Sequence, residues 1–101
     1  MNDTISIERT DETTHGRYSA KIAGHDEEAV LTWQARGNTR IVDHTFVPPA
    51  LRGQKIAEQL VDALIRDARE HGFTIEPQCS YVAAQFRRHP EWGDLRAPPS
   101  R

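Results

Sequence analysis

The chain has 101 residues, 37% of them hydrophobic and 28% charged, which suits one small globular domain and leaves no room for a second core. Thirteen basic against fifteen acidic residues give a net charge of −2, so the concentrated basic face of a nucleic-acid-binding protein is not expected. No apolar run approaches a membrane span, Met1-Asn2-Asp3-Thr4 lacks the order of a signal peptide, and one cysteine cannot form an internal disulfide. A cytoplasmic protein is expected, with neither nucleic acid nor membrane as partner. The five histidines are scattered and no Cys/His cluster has ligand spacing, so no metal site is expected.

In chain order, Ile5 to Arg9 alternates Ile5 and Ile7 with Ser6 and Glu8, a short strand. The polar stretch Thr10 to Gly16 reads as a loop. Arg17 to Ala23 alternates again, with Tyr18, Ala20 and Ile22 on one face, and Gly24-His25-Asp26 is a turn. Glu28 to Ala35 sets Ala29, Leu31, Trp33 and Ala35 on one face. Arg36-Gly37-Asn38 tolerates positive φ and predicts a hairpin into Thr39 to Val47, where Val42, His44 and Phe46 would share a face. These strands describe an antiparallel meander.

Pro48-Pro49 ends it, because neither proline can donate to a ladder. The period then changes. Ile56, Ala57, Leu60, Val61, Leu64, Ile65 and Ala68 recur at three- and four-residue spacing, an amphipathic helix stopped by Gly72. Phe73-Thr74-Ile75 is a short strand, and strand–helix–strand units of this kind usually make a right-handed crossover. A second helix spans about Tyr81 to Arg88 and stops at His89-Pro90. The fold class is therefore α+β, a mostly antiparallel sheet covered by one long helix and one shorter C-terminal helix. A single domain is expected over 5–93, with 94–101 as a flexible tail.

The junction from Thr45 to Leu60 carries the chemistry. Arg52, Gly53 and Lys55 sit together where the long helix opens. A helix start has amides without partners and the positive end of the dipole, and Gly53 lets a ligand approach the backbone. The arrangement is a phosphate-binding strand–loop–helix, although an ordinary helix start with solvated Arg52 and Lys55 reads the same way. A Walker loop is excluded, since it needs Gly-Lys-Ser/Thr after a longer glycine-spaced run.

Arg52-Gly53-Gln54-Lys55-Ile56-Ala57 resembles the pyrophosphate loop, [Q/R]-x-x-G-x-[G/A], of the GNAT superfamily of acetyl-coenzyme A-dependent acetyltransferases. It keeps Arg, Gly and Ala in a shortened RGxxxA form, with Lys55 where a glycine is common. Three blocks further resemble a small single-domain GNAT-like subfamily: His44 to Pro48, Arg52-Gly53 through Leu60, and Cys79-Ser80-Tyr81-Val82 followed by Phe86, His89-Pro90 and Trp92. The resemblance covers positions 15 to 93. It implies a pared-down GNAT core, acetyl-CoA as cosubstrate, no metal, and transfer of an acetyl group to an unidentified amine. A coenzyme A-binding interaction or sensing module with little catalysis is the alternative. A monomer is expected.

The same resemblance implies that backbone amides from Gly53 through Gln54, Lys55 and Ile56 to Ala57 hold the diphosphate, with Arg52 beside them. It also implies that Thr45, Phe46 and Val47 pair with the pantetheine arm. Arg87 and Arg88 could reach the ribose phosphate, or serve as surface charges. Cys79, just before a helix, could be a thiolate nucleophile at the acetyl end of the cleft, or a small buried hydrophobe. His44 is either a general base or a satisfied core histidine. Tyr81 is read as packing at the helix start, with protonation of the departing thiolate as its other role. Asp43 and Glu76 could orient an amine, and His89 serves its turn.

Overall fold

The computed structural model describes residues 5–98. Five strands form one sheet in sequence order: β1 (Ile5–Asp11), β2 (His15–Ile22), β3 (Glu28–Arg36), β4 (Thr39–Phe46) and β5 (Thr74–Pro77). The first four pair antiparallel, and β5 joins β4 in parallel. Helix α1 (Ile56–His71) makes the crossover between them, and α2 (Ser80–Arg88) follows β5. A 3-10 turn, Pro49–Leu51, precedes α1, and a longer one, Pro90–Leu95, follows α2.

The period-two pattern decides which face is buried. Gly16, Tyr18 and Ala20 of β2 stand opposite Trp33, Leu31 and Ala29 of β3, and all six are buried. On the other face His15, Arg17 and Lys21 are exposed. Helix α1 lays Ile56, Leu60, Val61, Leu64 and Ala68 on the inner face of β2 and β3. Burying side chains of that size contributes about 1.5–3 kcal/mol each, which outweighs the weak intrinsic stability of a 16-residue helix.

Gly72 closes α1 in the left-handed region, φ 77°, and its N–H bonds the Ala68 carbonyl oxygen at 2.8 Å. Asn38 Nδ2 donates to the Gly72 carbonyl oxygen at 2.8 Å, fastening the helix end to the β3–β4 hairpin. At the same end of the inner face the Arg40 guanidinium lies between the rings of Trp33 and Phe73, at 3.9 and 4.1 Å.

Two sequence expectations change. β2 begins at His15, inside the stretch expected to be loop, and β1 extends to Asp11 to pair with it. The packed domain also runs past residue 93. Leu95 and Ala97 are buried, the Ala97 N–H donates to the Ile75 carbonyl oxygen at 2.7 Å, and Arg96 forms a parallel bridge with Ile75. A proline- and arginine-rich composition reads as tail, but here the free edge of β5 offers carbonyls that residues 96–97 satisfy. Residues 99–101 lie outside the described residues.

Candidate functional site

The site is built where β4 and β5 part. Their ladder ends at Val42 and Pro77. The next two amides, Gln78 and Cys79, both donate to the Val42 carbonyl oxygen at 3.0 Å, and the chain turns away into α2. β4 runs on to Phe46 paired only with β3, so among the described residues no strand covers its other edge beyond Val42. An extended ligand can add to an edge of that kind.

A β-bulge in β4 sets the side chains here. The register steps from Thr32–His44 to Trp33–Val42, leaving Asp43 as the extra residue. One added residue flips every later side chain to the other face. Thr45 therefore stands opposite the buried Leu31 and turns inward, where the Cys79 Sγ–H donates to its Oγ1 at 3.4 Å. His44 turns outward, exposed, its ring near-parallel to that of Phe46 with centroids 6.5 Å apart. The expectation that His44 shares a face with Val42 is thus corrected, and with it the reading as a core histidine. Phe46 is 43% exposed, the large apolar side chain most open to solvent among the described residues.

The loop is fixed by its own contacts. Leu51 is fully buried and anchors it. The Arg52 N–H donates to the Pro49 carbonyl oxygen at 3.3 Å, and its Nε donates to that of Val47 at 2.9 Å. Gly53 (φ 85°) and Lys55 (φ 60°) are both left-handed. Lys55 holds that conformation without the excuse of being glycine, at a cost of about 1–3 kcal/mol. The result is that α1 starts abruptly at Ile56 with no side-chain cap, and the amides of its first turn have no intrahelical acceptor. A cleft of about 320 Å³ opens there, lined by Val47, Arg52, Gly53, Lys55, Ile56, Ala57, Glu58 and Tyr81, with Leu51 at its base.

Most of the residues expected to bind are thus gathered in one cleft. Gln54 is exposed on the loop but does not line it, while Thr45 and Phe46 belong to the strand that leads in. Tyr81 packs against the core at the start of α2, as expected, and also lines the cleft. Burial, then the carboxylates of Glu58 and Asp62, push its phenol above the ordinary value, while Arg88 pulls it down. It therefore keeps its proton at neutral pH. Its place two residues after Cys79 was the available signal; Glu58 gave none. Arg87 and Arg88 are exposed at the end of α2, and the charge of Arg88 reaches Tyr81.

Other candidates resolve differently. Glu76 is buried and bound by Arg36 at 2.9 Å and by Gln78, so it serves the sheet. His89 stacks on Trp92 at 4.1 Å and bonds Glu91, which fits its turn. Asp67, Glu70 and His71 bring donor atoms within 4.8 Å of one another, but Asp67 already accepts from Arg9 and Tyr18, and helical spacing accounts for the rest.

The site thus joins an open strand edge to an uncapped helix start, within a fold whose class the comparisons with known proteins define. The family model of GCN5-related N-acetyl-transferases matches residues 17–95, so this protein is a member of that family. It is 26% identical over 91 residues to Protein NATD1 of Xenopus tropicalis, covering 89% of this chain and 84% of that one. To Protein NATD1 of Mus musculus it is 33% identical over 76 residues, 73% of this chain and 68% of the relative. The fold matches the solution structure of a GCN5-like protein from Staphylococcus aureus, with TM-score 0.72, 20% identity, and coverage of 97% and 93%. It also matches the ribosomal-protein-alanine N-acetyltransferase of Brucella melitensis biovar Abortus 2308, with TM-score 0.58, 18% identity, and coverage of 90% and 69%.

Proposed function

We propose that the protein binds acetyl-CoA in this cleft and transfers the acetyl group to an amine. The observation that carries the reading is the uncapped start of α1, where a left-handed glycine and a left-handed lysine bare the first-turn amides beside Arg52. Those amides and the helix dipole suit a diphosphate. The open edge from Thr45 to Val47 would take the pantetheine arm, leading to Cys79 at the fork. In the reaction, the amine nitrogen forms a bond to the acetyl carbon as the carbon–sulfur bond breaks. The amine loses a proton and the departing thiolate gains one. His44 is the base available on the outer face, and Tyr81, held protonated, is an available donor.

Calorimetric titration with acetyl-CoA, with dephospho-coenzyme A beside it, tests the reading. One saturable site per chain is expected, and no heat at high micromolar ligand would remove the cofactor and the transferase with it. A Cys79→Ala variant then separates two routes. If the acetyl group rests on Cys79, turnover falls by orders of magnitude while acetyl-CoA affinity stays within a few-fold. Unchanged turnover would leave direct transfer.

A second reading, a coenzyme A-binding module with little catalysis, draws on one observation. Cys79 bonds the inward side chain of Thr45, whereas His44 points to the opposite face of the same strand. Binding without release of free thiol across a panel of amines would favour it.

A further inference from the structure

The outer face of the sheet, away from α1, carries a groove of about 810 Å³ that the cofactor cleft does not use. Its walls include Thr10, Glu12, His15, Arg17, Gln34 and Asp43. One end reaches the bulge. Asp43 is the extra residue there, and it follows directly on Val42, whose carbonyl marks the fork of β4 and β5. We propose that this groove receives the acceptor as an unbranched alkylammonium, with Asp43 as the anion that holds the reacting end until that end gives its first proton to solvent and becomes the nucleophilic amine. The proposal rests on the acetyl-transfer reading above, because the fork is where the acetyl group would lie.

The carboxylate is built for that role. Thr32 Oγ1 donates to Asp43 Oδ1 at 2.6 Å and Gln34 Nε2 donates to Oδ2 at 2.9 Å, fixing its plane. Burial opposes ionisation, but these bonds outweigh it and hold the group below the ordinary carboxylate range. An ionised carboxylate accepts about four hydrogen bonds, so acceptor capacity remains for an ammonium. At the far end Glu12 offers a second carboxylate, in the β1–β2 turn beside His15, and His15 pairs with the same Gln34 that holds Asp43. The two acids lie roughly three strand spacings apart, on the order of 14 Å between backbones, a gap that both side chains narrow. A five-carbon diamine with a hydrogen bond at each end spans such a gap. Arg17 also faces the groove and is the cation that opposes binding. Two acids against this one cation leave the groove net negative at neutral pH.

The test is a titration of the 15N-labelled protein with cadaverine, with and without saturating coenzyme A, followed by amide chemical shifts. Pentanoate, of similar length but opposite charge, is the control. Saturable shifts at Thr32, Gln34 and Asp43 are expected, with none from pentanoate. Asp43→Asn keeps the shape and should weaken cadaverine about tenfold or more, the loss of a charge-assisted hydrogen bond. Arg17→Ala should tighten it about twofold by removing a like charge. Both variants should bind acetyl-CoA as the parent does. No saturation by about 10 mM, shifts elsewhere on the molecule, or an Asp43→Asn protein that binds unchanged would each overturn the groove assignment. Failure of acetyl-CoA calorimetry would instead strike the cofactor reading itself.

Discussion

At the scale of single residues, the loop shows how conformation and ligand access separate. A Cβ built on Gly53 meets no heavy atom within 4 Å, so any penalty for a side chain there comes from φ 85° alone. Gly53→Ala should cost about 1 kcal/mol of stability, measured by urea unfolding. Its methyl group would stand at the mouth of the cleft, so acetyl-CoA affinity should fall by more than that, about tenfold or beyond. Equal losses would mean that the glycine serves the fold alone. Gly53 and Arg52 were legible in the sequence because helix starts and glycines carry their own physical signature. Lys55 reads as a charge and a loop amide, and its place where a glycine is common in the resembling motif is the one hint of its backbone conformation. The lysine side chain itself carries no such signal, since the left-handed conformation is imposed by the turn around it.

At the scale of elements, the sequence patterns located the five strands and both α-helices but neither 3-10 turn, because burial on one face is what the two periods encode and a single short turn carries no period. Nor could they locate the bulge. Alternation of Val42, His44 and Phe46 looks continuous in sequence, and the extra residue at Asp43 breaks it only through pairing with β3. The site depends on that slip, which turns Thr45 toward Cys79 and His44 away from it. The start of β2 was missed for a related reason. Gly16 reads as a loop residue, yet it is a buried strand position that lets the Trp33 ring lie across the sheet. A Cβ there would collide with the Thr10 carbonyl oxygen and with Trp33. The carbonyl is backbone in the neighbouring strand and cannot give way. Gly16→Ala should therefore destabilise the protein by about 1–3 kcal/mol, seen as a lower urea midpoint with unchanged slope. A midpoint within error of the parent would show that the β1–β2 ribbon yields instead.

At the scale of the molecule, one buried polar cluster ties three elements together. Asp67 of α1 accepts from Arg9 Nε of β1 and from Tyr18 O–H of β2, each at 2.7 Å. Its residue is 9% exposed and Tyr18 only 1%. Burial alone would raise the Asp67 carboxyl, but its two donors hold it below the ordinary value. Burial, and then the bond to Asp67, push the Tyr18 phenol well above its own. The signs give opposite pH limbs. The Asp67 contribution is complete above the unfolded carboxyl value of about 3.9 and is lost as pH falls through the depressed folded value. The Tyr18 contribution is complete below about 10 and is lost as pH rises through the raised folded value. Urea midpoints measured from acid to alkaline pH should thus form a plateau bounded on both sides. Asp67→Asn should lower the plateau by about 1–3 kcal/mol and shallow the acid limb, because the Arg9 charge loses its partner. Tyr18→Phe should remove the Tyr18 share of the alkaline limb and shallow the acid limb only in part, because Arg9 still donates to Asp67. An Asp67→Asn protein with an undiminished acid limb would move that pH sensitivity to other carboxylates, Asp43 first. Its own value is depressed on the opposite face.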